Sequence, residues 1–298
     1  MIVVFGSINI DLVTRAERIP APGETVLGDD YSVIPGGKGA NQALAARRAG
    51  AEVALVGAYG VDGFALTAIS LLRADGVDLS ACLAVDKPTG VAFITVDPHG
   101  ENAIVVASGA NARANAAQLD ARGMSSADIL LMQREVPIPE VEAAAALARR
   151  HGAKVLLNAA PAGAVSPELM ANLDYLVVNE HEAAIVGAGL GLSGELEDIA
   201  AEIDRRHGVA TLVTLGAAGA VAFSKGRRYQ APAPAVTVVD TTAAGDTFVG
   251  AFAAALDRGL DFDAALRRGL AAGSLACTKA GAQPSMPYAD EIEKLADV

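Results

Sequence analysis

The chain has 298 residues, of which 52% are apolar but only 4% aromatic, with no Trp, and a formal net charge of −12 at a pI near 4.8. That apolar share can build the core of one large or two small α/β units, and its weight in Ala and Gly favours close helix packing over an all-β sandwich. The acidic balance excludes the basic stripe of a protein that tracks a phosphate backbone, so nucleic acid is not an expected partner and any anionic ligand must be held by local groups.

Cys82 and Cys277 stand far apart without zinc-ligand spacing, and read as core thiols in a reducing cytoplasm. The opening MIVVFGSINIDLV is apolar, but Asp11 and the lack of a basic leader make it a first buried strand and not a signal peptide. No apolar run reaches membrane-spanning length, so no membrane partner is expected.

In chain order, near-continuously apolar β-branched runs recur at 2–8, 52–58, 127–133, 153–159, 174–179 and 210–216, the pattern of strands buried on both faces. Helical patterns lie between them at 39–50, 64–76, 138–152 and 193–208, several closing on Gly after a basic last turn. Strand alternating with helix predicts right-handed βαβ units and a doubly wound, mostly parallel sheet with helices on both faces. Residues 89–111 instead alternate on both sides of DPHGE, a predicted β-hairpin, and 10–34 is also non-helical. Together they predict a small antiparallel β lid, inserted from about 10–34 and 88–108 into a single domain spanning 1–298.

Several strand ends carry chemistry-bearing residues. Asn9 and Asp11 follow the first strand, Glu135 the run ADILLMQ, and Asn179 and Glu182 the run DYLVV, all at the carboxyl edge where open α/β sheets bind ligands. Each acid alone reads equally as a helix cap or a solvated loop residue. PGGKGANQA (35–43) is not a P-loop, since Ser32 and Gly39 stand where Gly and Ser or Thr are needed. It is either a glycine turn entering a helix, or a Gly36–Gly37 edge beside a polyhydroxy ligand with Lys38 and Asn41 as hydrogen-bonders. GLGLSG (189–194) matches GxGxxG but follows a helical pattern, so the strand–turn–helix context of a dinucleotide site is missing. The four histidines show no ligand spacing.

The stretch VTVVDTTAAGDTFVGAFAAAL (236–256) sets Asp240 and Asp246 around a loop of tiny residues where a strand should become a helix. On position alone Asp246 is a helix cap. Capping does not explain TTAAG, whose backbone N–H groups at a helix N-terminus can hold an anion while a neighbouring Asp takes a proton from a hydroxyl.

With GSINIDLV, PAPGETVLG, PGGKGANQALAARRAGA, HGENAIVVASGAN, LLMQREVP, LNAAPA, NEHEA, VTLGAAGA, VVDTTAAGDTFVGAF and GAQPSMP in the same order, the chain resembles the ribokinase/phosphofructokinase-B family of sugar kinases from end to end. The resemblance implies that family's doubly wound fold with a β lid. It also implies ATP-dependent phosphorylation of D-ribose at O5, with Asp246 as general base and the Ala243-Ala244-Gly245 loop as anion hole. Asn9, Asp11, Gly36, Gly37, Lys38, Asn41 and Glu135 match sugar-binding positions. Asn179, Thr214, Leu215, Gly216, Ala217, Ala218 and Gly219, with Gly245, match nucleotide positions, and Glu182 matches the residue that helps order Mg²⁺. Asp240, Thr242, Ala276, Lys279, Gly281 and Ser285 match a site for K⁺ or another monovalent cation, Lys279 through its carbonyl only. A homodimer through the lid is also implied. Val61, Arg134 and Val249 depart from the family pattern, which weakens ribose more than it weakens kinase. A kinase of another small sugar or nucleoside, or a non-catalytic sugar- or nucleotide-binding regulator, are the alternatives, and the intact Asp246 loop speaks against the second.

Overall fold

The computed structural model describes residues 1–296. Strand β1 (Ile2–Phe5) leads into β2 (Asn9–Ala16) and β3 (Gly28–Gly36), and helix α1 (Lys38–Arg48) then returns the chain to β4 (Val53–Val56) and β5 (Ala58–Gly60). After α2 (Ala65–Ala68), α3 (Ser70–Ala74) and β6 (Leu83–Val85) come β7 (Gly90–Val96), β8 (Asn102–Ala107) and α4 (Ala117–Arg122). Alternation follows through β9 (Ile129–Met132), α5 (Ile138–Arg150), β10 (Lys154–Asn158), α6 (Pro167–Met170), β11 (Tyr175–Asn179), α7 (Glu180–Gly189), α8 (Leu196–His207) and β12 (Ala210–Thr214). The chain closes with β13 (Ala220–Ser224), β14 (Arg227–Ala231), α9 (Ala244–Asp257), α10 (Phe262–Ala276) and α11 (Ala289–Ala296).

The main sheet runs β14-β13-β12-β11-β10-β9-β1-β4, parallel from β4 to β12 and antiparallel at β13 and β14. Alternate strand residues divide between two cores, as a period of two demands. Val4, Leu131 and Leu156 join α1, α9 and α10 on one face, while Phe5, Met132 and Leu157 join α5, α7 and α8 on the other. The abundance of small residues is used where α9 meets α1: a Cβ on Gly250 would come within 2.6 Å of the Ala45 Cβ. A larger side chain there would push apart the two helices whose N-termini frame the site.

All six predicted main-sheet strands form. The predicted helix at 64–76 divides into α2 and α3, because Ile69 (φ −106°, ψ 7°) leaves helical geometry between them. The four-stranded lid sheet, ordered β3-β2-β7-β8, is two antiparallel hairpins joined along a parallel β2–β7 seam. The parallel seam follows from connectivity, since the chain passes through α1, β4 and α2 between the hairpins and re-enters from the same end. GLGLSG falls at the end of α7 and the turn after it, away from any strand.

Candidate functional site

Three strand ends and two helix starts converge at the carboxyl edge of the main sheet. Where β1 ends, Ser7 accepts from the Ala40 N–H through its carbonyl (2.8 Å) and from the Gly39 N–H through Oγ (3.2 Å). This seats α1 directly on the strand end. Gly39 permits the contact, because a Cβ there would lie 2.4 Å from the Ser7 backbone nitrogen, and Gly37 turns the chain into the helix at φ +89°. Glu135 comes from the end of β9, and its Oε2 accepts from Ser7 Oγ (2.6 Å) and the Lys38 N–H (3.1 Å) at the α1 N-terminus, where the helix dipole favours an anion.

Asn9 is held by Asn111, whose Nδ2 donates to Asn9 Oδ1 (2.7 Å) while its Oδ1 accepts from the Ile8 N–H (2.9 Å). Asp11, on β2, lies against Gly36, where a Cβ would be 2.4 Å from its Oδ2. Among the described residues the Asp11 carboxylate receives no hydrogen bond. Burial, then the charges of Glu135 and Asp246, push its pKa up to about 7 against the opposing pull of Lys38. The Lys38 ammonium is held above its usual value by Asp246 first and by Glu135, Glu182 and Asp11 in addition, although burial works against it. It therefore stays a cation among four acids.

Asp246 lies in the first turn of α9, buried, with Oδ2 accepting from Asn41 Nδ2 (3.0 Å) and Oδ1 from Gln42 Nε2 (2.8 Å). Before it, Ala243 takes a left-handed conformation (φ 59°) that only the surrounding structure can impose on a non-glycine residue. The Ala244 N–H donates to Thr241 O (3.2 Å). Among the described residues, the N–H groups of Ala243 and Gly245 have no acceptor. They face no protein partner at the positive end of a 14-residue helix. A cleft of about 180 Å³ opens here, walled by Lys38, Asn158, Asn179, Glu182, Thr214 and the 243–246 turn.

Of the expected nucleotide positions, the structure brings Asn179, Thr214 and Gly245 to this cleft, while Leu215 to Gly219 form the turn after β12 and do not wall it. Asn179 and Glu182 make a reciprocal capping box at the start of α7, Asn179 N–H to Glu182 Oε2 (2.9 Å) and Glu182 N–H to Asn179 Oδ1 (2.8 Å). Behind the turn, Asp240 Oδ1 accepts from the Thr242 N–H (2.9 Å) and hydroxyl (2.6 Å), and Oδ2 from the Gly281 N–H (2.9 Å). Partial burial works to raise the Asp240 pKa, but these hydrogen bonds prevail and hold it below the usual carboxylate value. The segment that carries Gly281 runs from Ala276 at the end of α10, whose carbonyl accepts from the Lys279 N–H (3.3 Å), to Ser285, whose hydroxyl donates to Ala282 O (2.8 Å). The Lys279 ammonium turns away to Glu291 (3.3 Å). Carboxylate and carbonyl oxygens with no nitrogen or sulfur are a hard donor set that fits an alkali cation.

Sequence reasoning did not single out Ser7, Gln42, Asn111, Gln133 or Asn158, which scaffold these groups. Their signal is an amide or hydroxyl at the end of an otherwise apolar run, as in LLMQ and LLNA. Of the three departures, Arg134 spends its guanidinium on the Ala164 carbonyl, Val249 walls the cleft beside Asp246, and Val61 is exposed. Its neighbour Asp62 instead grips the start of β7, accepting from the Thr89 N–H (2.6 Å) and hydroxyl (2.9 Å).

Residues 1–289 match the pfkB family of carbohydrate kinases. A ribokinase of Haemophilus influenzae is 42% identical over 97% of this chain and 95% of its own. The crystal structure of a Thermotoga maritima ribokinase superposes with a TM-score of 0.92 at 36% identity, covering 100% of this chain and 99% of that one. The Arabidopsis thaliana ribokinase complexed with ribose and ATP gives 0.88 at 32% identity, covering 100% and 98%. The shared fold and the near-complete span of these matches place the chain in the pfkB family of carbohydrate kinases.

Proposed function

We propose that this protein transfers the γ-phosphoryl group of ATP to O5 of D-ribose, as one kinase domain with the lid inserted at about 10–34 and 88–108. The observation that carries the reading is a row of unsatisfied acceptors leading to Asp246. Asp11 receives no hydrogen bond among the described residues, and Asn41 Oδ1 is buried without a partner. Buried acceptors left unpaired are costly, by about 1–3 kcal/mol each, and the hydroxyls of a small sugar satisfy them. Asn9, the Gly36–Gly37 edge and Glu135 close the same surface. The ribokinase of A. thaliana, with ribose and ATP bound, shares this fold at 32% identity.

Asp246 accepts the proton of the attacking hydroxyl, and Asn41 holds the carboxylate toward the sugar while it does so. The N–H groups of Ala243 and Gly245 meet the charge developing on the transferred phosphoryl group, and the Lys38 ammonium neutralises it from the α1 side. Asn179 and Thr214 line the path of the nucleotide. Mg²⁺, when bound with ATP, would shield the phosphate charge, and Glu182 has one oxygen outside its capping box to hold a metal-bound water. K⁺ would sit among oxygens of Asp240, Thr242, Ala276, Lys279, Gly281 and Ser285, bracing the 241–245 turn from behind. Lid closure would exclude water from the transfer.

The lid also supports a homodimer: Val33, Phe93 and Val105 are exposed and share one cross-strand row through Leu12, with Tyr31 exposed beside it. A monomer in sedimentation at assay concentration would remove that part. The substrate is tested by Mg-ATP-dependent phosphorylation across pentoses, ketohexoses and nucleosides, with and without K⁺. Ribose is expected to be turned over fastest. No turnover of ribose alongside clear turnover of another sugar would overturn the substrate and leave the kinase. Tight sugar binding with no ADP formed under any cation would make the protein a sugar-binding regulator.

A further inference from the structure

Gln42 and Gln133 are wholly buried and lie outside the proposed cation site, yet the Gln42 amide ends on the Asp246 carboxylate and the Gln133 amide ends on Gln42. A glutamine amide offers two donors and a carbonyl acceptor. Gln42 uses all three: Nε2 donates to Asp246 Oδ1 (2.8 Å) and to Asn158 Oδ1 (2.9 Å), and Oε1 accepts from Gln133 Nε2 (2.7 Å). Turned over, Gln42 would set its carbonyl against the Asp246 carboxylate. The donor from Gln133 prevents that, because it fixes which end of the Gln42 amide is the acceptor.

Packing alone does not account for Gln133. It follows the fully buried apolar strand β9, and its own Oε1 is buried without a partner over Gly6, where a Cβ would lie within 2.1 Å of that oxygen. An apolar side chain in its place would leave no orphaned carbonyl. What the amide adds is orientation, passed from Gln133 to Gln42 and from Gln42 to Asp246. The carboxylate is then gripped from both ends, with Asn41 on Oδ2 (3.0 Å) and Gln42 on Oδ1, so that it cannot rotate about its own axis. Asn158, which shares the Gln42 amide, walls the cleft and donates to Val177 O (3.2 Å), tying the same network to the sheet edge.

We infer that Gln42 is a positioning residue for phosphoryl transfer, locked in its working orientation by Gln133, and that the pair fixes the plane of the Asp246 carboxylate. The inference rests on the reading of Asp246 as the base. A carboxylate free to rotate still binds sugar but spends less of its time aimed at the reacting hydroxyl, so the loss falls on kcat.

The test is a set of steady-state measurements on Gln42→Met, Gln133→Met, Asp246→Asn and the two double variants, each checked by thermal unfolding. Gln42→Met is expected to lower kcat about 10-fold or more, a part of the roughly 10²–10⁴ that a general base supplies, with KM for sugar and ATP within about twofold. Gln133→Met, which does not touch Asp246, should lower kcat about threefold with the same split. In the Asp246→Asn background neither substitution should lower kcat further, because there is no base left to aim. Equal losses with and without Asp246, or losses in KM alone, would make both glutamines packing residues and overturn the inference. If Asp246→Asn itself stays within a few-fold of the parent, the base reading fails and this one with it. If Asp246→Asn is crippled while Gln42→Met and Gln133→Met keep full kcat, only the positioning role fails. Should Gln42→Met not fold, Gln133→Met carries the same comparison alone.

Discussion

Asp240 and Asp246 stand at the two ends of one loop and are held in opposite ways. Asp246 is buried and gripped by side-chain amides, Asn41 and Gln42, from another helix. Asp240 is partly exposed and gripped on one oxygen by its own turn, through the Thr242 N–H and hydroxyl, and on the other by the Gly281 N–H from the segment after α10. Donors two residues on shape the loop itself, and the Gly281 N–H ties that loop to the segment after α10. Side-chain donors from a distant helix suit one that must keep a fixed aim while the chain around it closes on substrate. A third acid, Asp11, has neither kind of support and is pushed up to about 7 instead.

The largest effect that would sharpen this contrast is at Asp246. Asp246→Asn preserves shape and burial, so sugar binding by calorimetry should change little while kcat falls by roughly 10²-fold or more. A fall of only a few-fold would reduce Asp246 to a structural carboxylate held by Asn41 and Gln42 and erase the distinction. Asp240→Ala is expected to leave the chemistry intact but to blunt stimulation by K⁺, a several-fold effect read as the ratio of rates with and without the cation. If the ratio is unchanged, the loop brace works without an ion.

The smallest effect concerns Asp11 in the sugar-free protein. Its folded pKa is raised from the usual carboxylate value of 3.8 to about 7. The stability it contributes is therefore full below about 3.8 and is lost as pH rises through about 7. The parent should lose thermal stability between pH 5 and pH 8, and Asp11→Asn should flatten that slope by on the order of 2 °C. An identical slope in the variant would mean that Asp11 titrates as an ordinary carboxylate. Asp240, with its lowered value, has the opposite sign: its contribution is present at neutral pH and is lost on acidification through its depressed pKa.

Much of this was legible in the sequence because it is local. Buried parallel strands read as unbroken apolar runs, and TTAAG before an apolar helix reads as a backbone anion site. What could not be read is relational. Nothing in 10–34 or 89–111 states that β2 lies parallel to β7, since each hairpin's alternation specifies its own partner and not the other hairpin. Gln42 sits in a string of helix formers and Gln133 at a strand end, and neither reveals that their amides meet until the fold brings α1 against β9. The break at Ile69 was also hidden, because the apolar pattern of 64–76 continues through it. The resemblance gives Asn179 to the nucleotide and Glu182 to Mg²⁺, and the structure adds that the two cap α7.

In the proposed site the turn from Ala243 to Gly245 offers a phosphoryl group main-chain N–H and no functional side chain. Most substitutions change side chains and leave main-chain donors where they are, so the transfer half of the site is shielded from sequence drift as long as the residues stay small. The proposed sugar half rests on the side chains of Asp11, Asn41 and Glu135 and on lid strands, and every one of those can change. The division lets the hydroxyl that is phosphorylated diverge while the machinery that phosphorylates it stays constant.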